Sequence, residues 1–248
     1  MHQVSADYTL AERVSTRIPS PPRPERQSPD WAAWAALLPE PEALTSPAQG
    51  DPVVRHRSSW VRRLSTSRGA VYVKTYDYAS WVSRLRDFGT RTGPWGRVRA
   101  VAEFEALTWL RDHDFAAPSP VAALVWRRCG FVRRAALVTT AFPGAPASEV
   151  LPAATAAERI RVAEAIGTLV GRLHALGFRD RNLDLRNLLV DAAADGPRIA
   201  KIDSPRFVLR ARGNADDALA RADWERLGPQ LAAFGVLEVA RAAAARQR

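Results

Sequence analysis

The chain is poor in several residue types. Of 248 residues, one is cysteine and one methionine, and the 36 basic residues include only two lysines, Lys74 and Lys201. A lone Cys129 excludes an internal disulfide framework and a cysteine-rich metal site. It is compatible with a cytosol and says little more about redox compartment. No run of about 18 apolar residues occurs, so no transmembrane helix is expected. The start, Met1-His2-Gln3, lacks a basic stretch followed by an apolar one, and a secretory signal is not expected. No internal repeat is visible.

What is present has the balance of a soluble globular protein, 47% hydrophobic and 25% charged. The length suits one two-lobed domain with a tail, or two small domains, and supports a substantial core without staples. The net charge of +10 is carried by arginine. Such a surface attracts nucleic acid, anionic lipid or phosphorylated substrates, and does not choose among them. Coding bias accounts for the excess of Arg and Ala as readily as function does.

Residues 1–50 read as a proline-punctuated, partly ordered tail, because proline removes donors and blocks helices. Within it, Trp31, Trp34, Leu37 and Leu38 suggest one short amphipathic turn that docks on the domain or a partner. Strand-like patterns follow at Val53-Val54, Ser59 to Leu64 and Ala70 to Tyr76, with alternation of period two around Val71 and Val73. The turn from Ser65 to Gly69 lies between the last two. A helix is expected over Val98 to His113, then strands over Val121–Arg127 and Phe131–Thr140. Thr155 and Glu158 have capping-box spacing and open a helix that Gly177 stops. A hairpin over residues 188–202 and terminal helices from about Ala215 complete an α+β order. It fits a β-rich lobe over residues 51–140 and an α-rich lobe over 141–248.

Four places could hold a nucleotide's phosphates and a divalent metal. Lys74 lies in the apolar strand Val71-Tyr72-Val73-Lys74-Thr75-Tyr76, where a buried ammonium needs a partner; on an edge strand it would simply reach solvent. In the next helix Glu103 falls within the apolar arc of Val101, Phe104, Leu107 and Leu110, and Glu105 falls outside it. Glu103 is therefore the preferred partner for Lys74, unless it sits at the stripe's margin. The loop after Gly177 concentrates Asp180, Asn182, Asp184 and Asn187 ahead of an apolar strand. Loops so placed commonly carry function, although Asp and Asn are also ordinary turn formers. Asp203 closes the strand Arg198 to Ile202; beside Asn187 it could hold magnesium, or simply form a turn with Ser204-Pro205.

The order of these sites resembles the protein-kinase arrangement. More narrowly, the chain over about 53–235 resembles the lipopolysaccharide core kinases, the heptose and Kdo kinases. The residues that carry this are Val71 to Tyr76, Ala102 to Leu107 with Pro118-Ser119-Pro120, Leu173 to Gly177, Arg181 to Val190, and Ala136 to Thr140 with Pro143-Gly144. The resemblance implies a bilobal protein-kinase-like fold, with residues 136–144 linking the lobes and framing adenine. It implies ATP and Mg2+ as cofactors, with Lys74 on the α/β-phosphates paired to Glu103, and Asn187 and Asp203 as metal ligands. The implied activity is phosphorylation of a sugar hydroxyl in a glycolipid, in the cytoplasm, with peripheral contact to an anionic membrane.

The departures are specific. Where the family carries its catalytic aspartate this chain has Asn182, and an amide cannot accept a proton as a carboxylate does. The nucleotide-strand turn, placed at Ser65–Gly69, has one glycine. Asp184 is the candidate to orient the acceptor hydroxyl, and Asp180 is a second spare carboxylate, at a position that normally packs inward. Three readings follow: a kinase with a rewired loop, a nucleotide-binding pseudokinase, and a basic module using Arg84 to Arg99, with Trp81 and Trp95, to bind membrane or nucleic acid.

Overall fold

The computed structural model of the protein describes residues 24–56, 59–78, 96–193, 196–211 and 217–247. Six strands form one antiparallel sheet: β1 (Pro24–Gln27), β2 (Asp51–His56), β3 (Ser59–Thr66), β4 (Gly69–Asp77), β5 (Pro120–Arg128) and β6 (Phe131–Thr140), in the order β1-β5-β6-β4-β3-β2. Lys74 therefore lies on an inner strand, between β3 and β6, rather than at an edge.

The two-residue period of a strand sorts this sheet into two faces. Val71, Val73, Leu124, Trp126, Ala136 and Val138 form an outer cluster with Trp34 and Leu44. Tyr76, Val125, Ala135 and Leu137 face the other way, into the main core with helix α3 (Arg99–Asp112). Trp34 and Leu44 come from α1 (Trp31–Ala35) and α2 (Pro41–Leu44). Residues 24–50, read from sequence as part of a tail, thus supply an edge strand and the cover of the sheet's outer face.

The same register relocates the turn nearest Lys74. Lys74 pairs with Val61, and Ser59 with Tyr76. The β2–β3 connection, where His56 pairs with Ser59, is thus at Lys74's end of the sheet. Ser65–Gly69 lies at the other end, five residues and roughly 17 Å along the strand. The expectation that Ser65–Gly69 is the nucleotide turn is corrected: position 69 ends the far hairpin. The two residues that join His56 to Ser59 in the sequence are Arg-Ser, without glycine, and lie outside the described residues.

The chain crosses to the second lobe through residues 141–144. There β7 (Ala145–Pro146) pairs with β9 (Leu188–Ala193), which pairs with β10 (Gly196–Lys201). Three more helices follow in this lobe: α4 (Ala147–Ala153), α5 (Ala156–Ala175) and α6 (Ala218–Ala232). Thr155 and Glu158 make the full capping box at the start of α5, so this expected boundary is met. Gly177 ends it at φ +86°, with the Arg210 carbonyl so close that an added Cβ would lie 2.2 Å away. The last helix, α7 (Leu237–Ala245), lies against α5 at Gly167, where a Cβ would be 2.0 Å from the Ala240 carbonyl. Short strands β8 (Phe178–Arg179) and β11 (Val208–Leu209) pair and bracket the loop between α5 and β9.

Candidate active site

The site lies where β4, α3, the loop after β8 and the end of β10 meet. Residues two apart on a strand share a face, so Lys74 and Tyr76 both point at α3. Lys74 Nζ lies 3.1 Å from each Glu103 carboxylate oxygen. The Tyr76 hydroxyl donates to Glu103 as well, and Glu103 is 2% exposed. Glu105 is instead held on the outer surface by Arg26 and Arg97. The apolar arc thus distinguished the two glutamates correctly.

Lys74 also pairs with Asp203. Burial works against the Lys74 ammonium, but Glu103, Tyr76 and Asp203 outweigh it and hold its pKa well above the usual lysine range. Burial pushes the Glu103 carboxyl up, with Lys74 only partly offsetting it. At Asp203 burial also pushes upward, but Lys74 prevails and the carboxyl stays below its usual range. A cation in the cleft, with a quarter of its side chain exposed, is thus kept charged and reachable by an anion.

The loop Gly177 to Val190 is held from below. Asp223 on α6 accepts from the backbone N–H of Asp180 at 3.1 Å and of Arg181 at 2.8 Å, and lies 3.2 Å from His174 Nε2. Arg181 has φ +59°, a left-handed conformation that costs a non-glycine residue on the order of 1 kcal/mol; the Asp223 bond anchors it. The Asp180 carboxylate turns inward to Lys201, 3.1 Å away, and both side chains are sealed from solvent. Burial raises the Asp180 pKa, and Lys201 opposes that rise.

The polar residues of the loop divide into two groups. Asn182 Nδ2 donates to the Asp203 backbone carbonyl at 2.9 Å and to its Oδ2 at 3.0 Å. Asn187 Nδ2 donates to the Asn182 carbonyl at 3.0 Å, and the Asn187 carbonyl accepts from Ile202 N–H at 3.0 Å. Asn182, Asn187 and Asp203 therefore form one connected cluster next to Lys74. Asp184 belongs elsewhere. It caps the 3₁₀ turn Leu185–Asn187, accepts from Arg186 Nε at 2.9 Å and Nη2 at 3.0 Å, and has Arg226 at 3.6 Å. The Arg186 bond holds its carboxyl below the usual range. A carboxylate so engaged is a weak proton acceptor.

Sequence reasoning missed Lys201, Asp223 and Tyr76 as members of the site. Tyr76 was within reach, being two residues from Lys74 on the same face. Lys201 and Asp223 carry no local signal, since each finds its partner across the fold. Of the basic stretch Arg84 to Arg99, residues 84–95 lie outside the described residues. Arg97, exposed, donates to the Phe207 carbonyl at 2.9 Å, and Arg99 lies 5.7 Å from the centre of the Tyr76 ring.

Among the described residues no group of three or more His, Cys, Asp or Glu could cage a metal. The donor set of Asn187 and Asp203 is small and hard, an amide oxygen and a carboxylate. That fits magnesium, which is usually held by one or two carboxylates with phosphate oxygens and water. The Asn187 amide nitrogen is spent on Asn182, which leaves its oxygen as the free end. No described helix is long and apolar enough to cross a membrane.

The model of the lipopolysaccharide kinase (Kdo/WaaP) family matches residues 53–233. Among solved structures, WaaP in complex with acyl carrier protein is 18% identical and aligns at a TM-score of 0.57, over 88% of this chain and 80% of that one. The Rio2 kinase–ADP/Mg2+–phosphoaspartate complex from Chaetomium thermophilum is 17% identical, with a TM-score of 0.46 over 79% and 70% of the two chains. No curated protein matches the sequence. The expected fold, a β-rich lobe on an α-rich one, is that of kinase-like phosphotransferases.

Proposed function

This chain belongs to the lipopolysaccharide kinase (Kdo/WaaP) family, and we propose that it transfers a phosphoryl group from ATP, with Mg2+, to a sugar hydroxyl of a glycolipid or related small acceptor. The observation that carries this reading is the convergence of Lys74, Glu103, Asn187 and Asp203 from four separate elements. Lys74 would bind the α/β-phosphates, and Glu103 with Tyr76 would hold its ammonium in place. Asn187 and Asp203 would hold magnesium, which neutralises charge on the phosphates when bound. Residues 136–144 would frame the adenine. The acceptor would be met in the cytoplasm, at the inner face of an anionic membrane, where the +10 charge assists approach.

The loop is altered in a way that lowers the rate rather than the affinity. Asn182 cannot act as base, Asp180 is sealed against Lys201 and Asp184 is closed by Arg186. Phosphoryl transfer depends mainly on positioning and charge neutralisation; loss of a general base costs on the order of 10²–10⁴-fold. A slow kinase is therefore expected, and Asp184 would orient an acceptor only by giving up its bonds to Arg186. The occupied carboxylates also favour a second reading, a nucleotide-binding pseudokinase that acts as a scaffold. Turnover separates the two. Purified protein with ATP and magnesium should transfer phosphate to a glycolipid extract, or slowly hydrolyse ATP, above an Asp203→Ala control. No difference from that control, with nucleotide still bound, would leave the pseudokinase.

A further inference from the structure

Resting on the reading that Asn187 and Asp203 face a metal–nucleotide complex, we propose that Asn182 is a positioning residue for Asp203, an amide clasp rather than the remnant of a lost base. Its side-chain nitrogen has one task in this structure, which is to bridge the Asp203 backbone carbonyl and carboxylate at 2.9 and 3.0 Å. Asp203 needs such a hold. It has φ +59°, a conformation that persists in non-glycine residues when the surroundings enforce it. Three restraints enforce it here. Lys74 takes Oδ1, Asn182 takes Oδ2 and the carbonyl, and the Asn187 carbonyl holds the preceding N–H of Ile202.

The cluster closes on itself, because Asn187 donates back to the Asn182 carbonyl. One residue thus fixes the positions of both proposed metal ligands. Each carboxylate oxygen retains lone-pair capacity beyond these bonds, so the clasp orients Asp203 without filling it. An aspartate at 182 would do the reverse. It has the same shape, but it would give up both donated bonds and set a second carboxylate about 3 Å from the first, where like charges cannot comfortably both ionise. A bound cation would be needed to bring the two together. Asparagine lets Asp203 stay in place before any metal arrives.

Melting temperatures of the wild type, Asn182→Ala and Asn182→Asp, in EDTA and in magnesium chloride, test this, together with calorimetric ATP affinities in both conditions. In EDTA the Asp variant should melt about 5 °C or more below wild type and regain most of that loss with magnesium. The Ala variant should be destabilised without metal-dependent recovery. Its affinity for ATP with magnesium should fall about tenfold, the size of one charge-assisted hydrogen bond, while its affinity in EDTA stays within about twofold. A merely structural asparagine would lower both melting temperatures equally with and without metal. That result, or an Asp variant as stable as wild type in EDTA, overturns the proposal. If wild type binds no magnesium–ATP yet the Asp variant shows metal-suppressed instability, the clasp stands and the phosphotransfer reading falls.

Discussion

The chain's two lysines sit in ionic clusters that differ in their partners and in access to water. Lys74 sits in the cleft with Glu103, Tyr76 and Asp203, and a quarter of its side chain is exposed. Lys201 sits with Asp180 beneath the loop that follows β8, and neither side chain reaches solvent. The first pair can exchange a carboxylate for a phosphate; the second has nothing to exchange with. The contrast shows which carboxylates are available for chemistry. It shuts the Asp180 carboxylate away from solvent and makes it a footing for the loop that carries Asn182 and Asn187.

The comparison is most sharply broken by removing one partner of the sealed pair. Asp180→Ala leaves the Lys201 ammonium buried and uncompensated, and breaking such a pair costs about 3–5 kcal/mol. Urea denaturation should show it, and Asp180→Leu with Lys201→Met should recover most of the loss. Lys74→Met should cost less, about 1–3 kcal/mol. Glu103 keeps its bond from Tyr76, and its raised pKa lets it take up a proton. Equal losses for Asp180→Ala and Lys74→Met would mean that the two pairs do the same job.

The smallest effect concerns Asp184. Arg186 holds its carboxyl below the usual range. Such a group contributes stability above the unfolded pKa of about 3.9 and loses it as pH falls through the folded pKa. Asp184→Asn should therefore be less stable than wild type at pH 7, and the gap should close on acidification below about pH 4. Thermal melts at several pH values check this. A gap independent of pH would assign the effect to lost packing.

The sequence was informative where chemistry and local period coincide. Lys74 interrupts an apolar strand, Glu103 interrupts an apolar helical arc, and Asn187 and Asp203 stand at strand ends. Lys74 and Glu103 are charged residues where the pattern requires an apolar one, so a partner could be inferred; Asn187 and Asp203 stood out by their place in the loop and at the strand end. Thr155 and Glu158 were legible for a similar reason, because a capping box is complete within four residues. Lys201 and Asp223 were not. Their bonds across the fold span 21 to 49 residues in sequence, and no local pattern marks them as partners of the loop. The misplaced nucleotide turn has the same origin: local signals show a hairpin but not which of its ends faces the cleft. Trp34 was legible as part of a docking turn, whereas Leu44 was obscured by the prolines around it, and the sheet they cover explains both.

The central claim is that the Lys74 cluster is a working phosphate and metal site. A thermal-shift titration of the full chain with ATP, with and without magnesium, tests it most directly, with Lys74→Met and Asp203→Ala alongside. Ligand that binds the folded state raises the melting temperature by mass action. The account predicts a rise for wild type that grows with magnesium, a rise lost in Lys74→Met, and one insensitive to metal in Asp203→Ala. A wild type whose melting temperature ignores ATP at every magnesium concentration would contradict it.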